Sequence, residues 1–108
     1  MGMDLDAALR IASSGMKVQS SRLRVVAENL ANAESTGRSP QEDPYRRKTI
    51  SFGEVYDRAT GSDLVEVRRY GQDQSDLPMR YQPGHPAADA GGYVRYPNVN
   101  SLVEAMDM

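Results

Sequence analysis

Residues 5–33 run LDAALRIASSGMKVQSSRLRVVAENLANA. Within them Leu5, Leu9, Ala12, Met16, Gln19, Leu23, Val26, Leu30 and Ala33 fall at spacings that alternate four and three without a break, and Gln19 alone is polar. That is the heptad seam of a helix packing along its length on another helix. Asp4 and Asp6 sit where carboxylates favour a helix start, and Asn32 and Gly37 are placed to end it in the left-handed conformation both tolerate. Some thirty residues at 1.5 Å each make a rod of roughly 45 Å. The seam is narrow: Ala12 is small, and Ser13-Ser14-Gly15 is a weak helical run. Such a helix depends on packing rather than on propensity. It is either the core helix of a small α+β domain or an association helix.

Composition favours the second reading. In 108 residues, Leu, Ile, Val and Phe together make up fewer than one in five, with one Phe and no Trp. The rest of the chain offers too little apolar surface to cover so long a seam. A formal net charge of −2 and a pI near 5.3 argue against general nucleic-acid binding, which needs clustered positive charge. No apolar run approaches about 18 residues, so no membrane insertion is expected. Asp4 and Asp6 occupy the place of a basic n-region, so no signal peptide is expected either. The absence of cysteine removes disulfides, thiolate metal sites and thiol nucleophiles together.

Beyond the helix, residues 34–44 are polar and carry Gly37, Pro40 and Pro44, the marks of a loop. Residues 45–52 alternate as a half-buried strand, with Ile50 and Phe52 against Thr49 and Ser51. A turn at 59–63 leads into a second strand at 64–70. A short strand is predicted at 79–81, an ordered loop through Pro83-Gly84 to Gly92, and an extended stretch at 93–96 before Pro97. Leu102, Val103 and Met106 begin a second helical spacing close to Met108. The fold class is therefore α+β: a long N-terminal heptad helix followed by a small antiparallel β-rich region with loops. The parts expected are a coiled-coil-type helix over 1–36, a β-rich unit over 37–98 and the start of a truncated helix over 99–108.

Chemistry-bearing residues are sparse. His85 is the single histidine, with Asp89 four residues on, a pair that could in principle act as base and orienter. Metal sites need three or four ligands, and Pro86 keeps a regular helix from bringing His85 and Asp89 together. No phosphate loop is present, and the serines of the helix have no histidine partner. Residues 42–70 hold six acidic and six basic side chains, so Arg46-Arg47-Lys48 and Arg68-Arg69 lie in a neutral, salt-bridged surface. No catalytic, metal or cofactor-binding residue is expected.

Ser14-Gly15-Met16, Gln19 and Arg22-Leu23 lead into Val26-Ala27-Glu28-Asn29-Leu30-Ala31-Asn32-Ala33, with Thr36-Gly37 after it. This resembles the N-terminal signature of the flagellar rod, hook and filament-junction proteins. Asp73-Gln74-Ser75, Tyr81-Gln82-Pro83-Gly84-His85-Pro86, Ala88-Asp89-Ala90 and Gly92-Tyr93-Val94-Arg95-Tyr96-Pro97-Asn98-Val99 resemble, in the same order, the proximal-rod members of the basal-body rod family. Pro44-Tyr45-Arg46 and Lys48 ahead of Phe52 fit them too.

The resemblance implies a non-enzymatic structural subunit of the periplasmic rod, part of the axial shaft that transmits torque from motor to hook. It implies as partners other copies of the chain, other rod proteins and the flagellar type III export apparatus, with export that needs no cleaved signal peptide. Leu5, Leu9, Ala12, Met16, Leu23, Val26, Leu30 and Ala33 become the subunit-packing seam. Asn29, Asn32, Gly37, Pro83, Gly84, Pro86, Asp89, Gly92, Tyr93, Pro97 and Asn98 become the family motif. It also implies a longer C-terminal helix pairing with the first, of which this chain reads as holding only the beginning. The competing reading, resting on the seam alone, is a soluble coiled-coil adaptor unrelated to flagella.

Overall fold

A computed structural model describes residues 5–108. The chain order is α1 (Leu5–Ala31), β1 (Lys48–Asp57), β2 (Ser62–Gln72), β3 (Met79–Tyr81), β4 (Tyr93–Arg95) and α2 (Ser101–Met106). The radius of gyration is 19.8 Å and the extents are 70 × 21 × 17 Å. A globule of this length has a radius of gyration of about 13 Å. The chain is a rod, as its long helix demands.

α1 carries two stripes, and the fold uses the less apolar one. Ala7, Val18, Val25, Val26 and Asn29 are buried, with Ile11, Ser14 and Arg22 half-buried between them. At 3.6 residues per turn this face lies roughly a third of a turn from the Leu/Met seam. The β1–β2 hairpin runs along it. Asn29 meets Lys48 at the hairpin base, Arg22 stacks over the Phe52 ring at 5.1 Å, and the Ser14 hydroxyl accepts from Val65 N at 3.3 Å. Arg10 reaches Asp57 at 3.5 Å near the tip. β1 therefore runs antiparallel to α1 and β2 parallel to it, and the helix is zipped to the hairpin by polar contacts as much as by apolar ones.

The hairpin is longer than the sequence suggests. β1 begins at Lys48 rather than Tyr45, because Tyr45 N is taken by Ser35 O (3.0 Å) and Arg47 N by the Asn98 side chain (2.7 Å). It continues through Gly53 to Asp57, and β2 runs on to Gln72. The turn lies at 58–61, earlier than 59–63. Ala59 N and the Thr60 hydroxyl both donate to the Asp57 carboxylate there, and Gly61 N closes on Asp57 O at 2.8 Å. Register jumps from Ser51↔Arg69 to Phe52↔Val67, leaving Arg68 as the extra residue of a bulge.

β3 and β4 pair separately, in register Met79↔Arg95 to Tyr81↔Tyr93, around a second small nucleus of Ala87, Val94 and Tyr96. Arg80 lies over the Tyr96 ring at 4.1 Å and bridges to Glu34 at 3.0 Å, tying this nucleus to the segment that leaves α1. Gly92 holds φ +86, where a Cβ would come within 2.9 Å of Tyr81 Cε1. Only glycine fits both demands.

The helix stop differs from the expected one. α1 ends at Ala31, and neither Asn32 nor Gly37 adopts a positive φ. Asn32 ends the helix with its side chain: Nδ2 donates to Glu28 O at 2.9 Å, and Oδ1 accepts from the Ser35 hydroxyl at 3.0 Å. Gly37 is buried, and a Cβ on it would sit 2.1 Å from Glu42 O. Its role is close backbone approach, not a left-handed cap. Asp6 stands in the first turn, 3.6 Å from Arg10, whereas Asp4 lies outside the described residues.

Candidate assembly site

Two features stand out: a buried polar junction at the C-terminal end of α1, and an apolar stripe on its outer side. The junction centres on Asn29, which is fully buried. Its Oδ1 accepts from Lys48 N (2.8 Å) and from the Tyr45 hydroxyl (2.6 Å). Its Nδ2 donates to Lys48 O (3.0 Å) and to Glu104 Oε2 (3.3 Å). All four hydrogen-bonding positions of the amide are occupied. Burial pushes the Tyr45 phenol above its ordinary value, so it stays protonated and donates.

Glu104 of α2 is 1% exposed and also takes a charge-assisted bond from Arg47 Nε. Arg47 lies 3.8 Å from both Asp73 and Asp107. Asn98 accepts from Arg47 N and donates to Asp73 O (2.9 Å) and the Ser75 hydroxyl (3.1 Å). Four separate segments thus meet in one network, and no buried side-chain N or O among the described residues lacks a partner. Lys48 Nζ pairs with Glu28 at 2.7 Å, which lifts the ammonium above its usual range.

Sequence reasoning placed Asn29 and Asn98 in the family motif but missed Arg47 and Glu104. Arg47 was hidden in a basic run, and Glu104 in a stretch whose apolar residues look like the inward ones.

The outer stripe is the predicted seam. Leu5, Leu9 and Met16 are 72, 61 and 72% exposed and Leu23 46%, with Ala12 and Gln19 exposed beside them. Towards the end of the helix the stripe sinks: Val26 is buried and Leu30 and Ala33 are half-buried. Val26 lines, with Val25, Ile50, Phe52, Glu104 and Asp107, a cavity of about 220 Å³ where α1, β1 and α2 meet. The eight seam residues do not share one environment.

The remaining motif residues shape loops. Pro83, Gly84 and Pro86 are exposed and Pro97 is buried. Asp89 Oδ1 accepts from Gly91 N and Tyr93 N, both at 2.9 Å, and so caps the turn into β4. His85 Nδ1 accepts from Ala87 N at 3.0 Å. The two are engaged with their own backbone and do not pair. Among the described residues no cluster of His, Asp or Glu is suited to a metal, and no helix is long and apolar enough to cross a membrane.

Two carboxylates give the chain an acid limb. The Ser75 backbone N–H, at 2.9 Å, holds Asp73 below the usual carboxylate range. The Thr60 hydroxyl does the same for Asp57. A folded pKa below the unfolded one means that the unfolded chain binds more protons in acid. The stabilisation is then present above about pH 4 and lost as pH falls through the depressed values. The thermal midpoint is expected to hold from pH 7 to 5 and to drop below about pH 4, less steeply in Asp73→Asn.

Residues 9–37, which span the seam and the helix end, match the family model of the flagella basal body rod protein. The chain is 54% identical over 104 residues to the flagellar basal-body rod protein FlgC of Agrobacterium fabrum, covering 96% of this chain and 75% of the relative. The chain belongs to the FlgC family of flagellar basal-body rod proteins. Identity to FlgC of Salmonella typhimurium is 43% over 100 residues, covering 90% of this chain and 72% of the relative. To FlgC of Bacillus subtilis it is 35% over 117 residues, covering 94 and 77%. The FlgC family is one of structural rod subunits, so this chain is a component of the basal-body rod that assembles with other rod components and is not an enzyme. Neither an adaptor unrelated to flagella nor catalysis at His85 and Asp89 finds support in these relatives.

Proposed function

We propose that the chain is a subunit of the proximal, periplasmic part of the rod. It joins the axial shaft by packing the Leu5, Leu9, Met16 and Leu23 side of α1 on the same seam of a second copy, and the shaft carries torque from motor to hook. The observation that carries this is the exposure of that stripe although α1 is already packed on the hairpin by its other face. Fully burying a Leu or Met side chain contributes about 1.5–3 kcal/mol. One seam contact therefore yields several kcal/mol, much of it offset by the cost of association, so a single pairing is weak and a lattice of them is strong. In this reading residues 1–36 supply the packing helix, 37–98 the outer unit, and 99–108 the start of a second helix. A core this thin suits passage in unfolded form through the flagellar type III export apparatus.

The chain has no cysteine, so Met16→Cys introduces a unique thiol. Its labelling by a maleimide is expected to be at least tenfold slower in isolated basal bodies than in the free chain, while Tyr81→Cys, on β3, labels readily in both. Equal labelling of Met16→Cys in both states would show that the seam stays open to water in the rod.

A further inference from the structure

The β1–β2 ribbon has two strands, and among the described residues no third strand adds to either outer edge. Both backbone groups of Lys48 turn outward, to the Asn29 amide. In an antiparallel ladder outward residues alternate with those bonded across it, so Ile50, Phe52, Glu54 and Tyr56 also turn their N–H and C=O outward. Their partners on β2 turn outward on its far side. Val65, opposite Glu54, shows this directly, because its N–H reaches the Ser14 hydroxyl at 3.3 Å. α1 therefore caps β1 at the base of the hairpin and β2 towards its tip. The tip half of β1 and the base half of β2 are left as open edges, and an open edge is a template for another strand.

The two open halves differ in charge. Glu54 and Asp57 lie on that of β1, Arg68 and Arg69 on that of β2. Asp57 is turned to Arg10, but among the described residues Glu54, Arg68 and Arg69 belong to no ion pair. The bulge fixes one of these cations in place: Arg68 is its extra residue, and the guanidinium lies over Gly53, where any Cβ would collide with it. Each half also carries an exposed tyrosine of the outward set, Tyr56 at 61% and Tyr70 at 52%.

We propose that the open half of β1 pairs antiparallel with the open half of β2 in a second copy of this chain, joining neighbouring ribbons into one sheet. Only outward residues exchange hydrogen bonds across such a junction. The register that sets Tyr56 against Tyr70 also sets Glu54 against Gln72 and Asp57 against Arg69, an aromatic pair beside an opposite-charge pair. Gln72 O holds Gln74 Nε2 at 3.5 Å, a contact at the limit of a hydrogen bond that an incoming strand displaces. Like edges repel, since β1 on β1 brings acids to acids and β2 on β2 brings arginines to arginines. The contact is therefore head-to-tail. Tyr70 lies level with Ile50, so a neighbour that brings it to Tyr56 is displaced along the strands by roughly 20 Å. A head-to-tail contact that does not close on itself continues as a helix of subunits. This junction is separate from the α1 seam and rests only on the chain being a rod subunit.

The chain has no cysteine, so Tyr56→Cys with Tyr70→Cys supplies its only two thiols. Within one chain they stand roughly 20 Å apart, beyond the limit of about 7 Å between Cα atoms for a disulfide. Across the paired edges they face each other at about 5.5 Å. With the double variant in the chromosomal gene, oxidation of isolated basal bodies by copper phenanthroline is expected to give a ladder of covalent dimers and higher multimers. Each single variant is expected to stay monomeric, and cells expressing both singles to give dimers alone. A double variant that stays monomeric in assembled basal bodies overturns the pairing. So does a dimer from Tyr56→Cys alone, because β1 would then face β1. If the double variant builds no basal bodies, the same readings apply to Glu54→Cys with Gln72→Cys, the next outward pair.

Glu54→Pro gives a second arm, since it removes an outward N–H that β2 does not use. Its far-ultraviolet circular dichroism is expected to stay within about a tenth of the parent, because proline is tolerated on an edge strand. Its spreading in soft agar is expected to slow by about fivefold or more, because main-chain bonds carry the affinity of an added strand. Normal spreading overturns the pairing, and so does loss of the fold, since the Glu54 edge would then be needed inside the chain. Equal labelling of Met16→Cys in both states sinks the seam reading and leaves the ladder as expected.

Discussion

Asn29→Leu is expected to lower the stability of the chain by about 4 kcal/mol or more, the largest loss available from a single polar side chain here. The substitution leaves Lys48 N, Lys48 O and the Tyr45 hydroxyl without their Asn29 bonds, and removes one of the two partners holding Glu104. Each buried group left unpaired costs about 1–3 kcal/mol, and leucine cannot return any of it by hydrogen bonding. Ordinary domains hold only about 5–15 kcal/mol in total, and a rod with two small nuclei has little reserve. At about 4–8 °C per kcal/mol for a domain of this size, the thermal midpoint is expected to fall by 15 °C or more. Tyr45→Phe removes a single bond and is expected to cost about 0.5–1.5 kcal/mol, which grades the series. Circular dichroism melts of both variants check it. A midpoint for Asn29→Leu within 3 °C of the parent would mean that water replaces the amide and that the junction is not what joins α1 to the hairpin.

How far the sequence goes is clearest on α1. Leu5, Leu9, Met16 and Leu23 announce themselves by size and spacing, and they do lie on one side of the helix. The stripe that packs inside the chain has similar spacing, from Ala7 through Ile11, Ser14, Val18, Arg22 and Val25 to Asn29, but it is broken by polar residues. Periodicity reports that a face is apolar; it does not report whether the partner is in the same chain. That is why Val26 was grouped with Leu23, although one is 4% exposed and the other 46%. The strands were legible in kind but short in extent: alternation marked 45–52 and 64–70, whereas the ladder continues through Gly53 to Asp57 and out to Gln72 around the bulge at Arg68. The junction was the least legible part. Asn29 and Glu104 stand 75 residues apart, and nothing local in Leu102-Val103-Glu104-Ala105-Met106 says that the acid turns inward. The resemblance to rod proteins marked Asn29 and Asn98 without giving their contacts. The structure gives those contacts: some run to residues the resemblance also quoted, Tyr45, Lys48, Asp73 and Ser75, and others to Arg47 and Glu104, which it did not.

Leu23→Asp is expected to abolish rod incorporation while leaving the free chain folded. In the free chain Leu23 is 46% exposed, so the substitution removes little packing. Its cost there is mainly helix propensity, about 0.5 kcal/mol. In a packed seam the same carboxylate would be buried against apolar side chains, where an unpaired charge costs several kcal/mol. The loss recurs in every subunit, so even a modest penalty per contact is multiplied along the shaft. Val26→Asp looks equivalent by heptad position but asks a different question. Val26 is 4% exposed, so a carboxylate there is expected to unfold the free chain and says nothing about neighbours. The measurement is paired: a thermal melt of the purified variant, and motility in soft agar with the variant in the chromosomal gene. Leu23→Asp should melt within about 1 kcal/mol of the parent and be immotile. Val26→Asp should fail both. Full motility of Leu23→Asp would mean that the exposed side of α1 faces solvent in the finished rod, and that its subunits are held together through some other face.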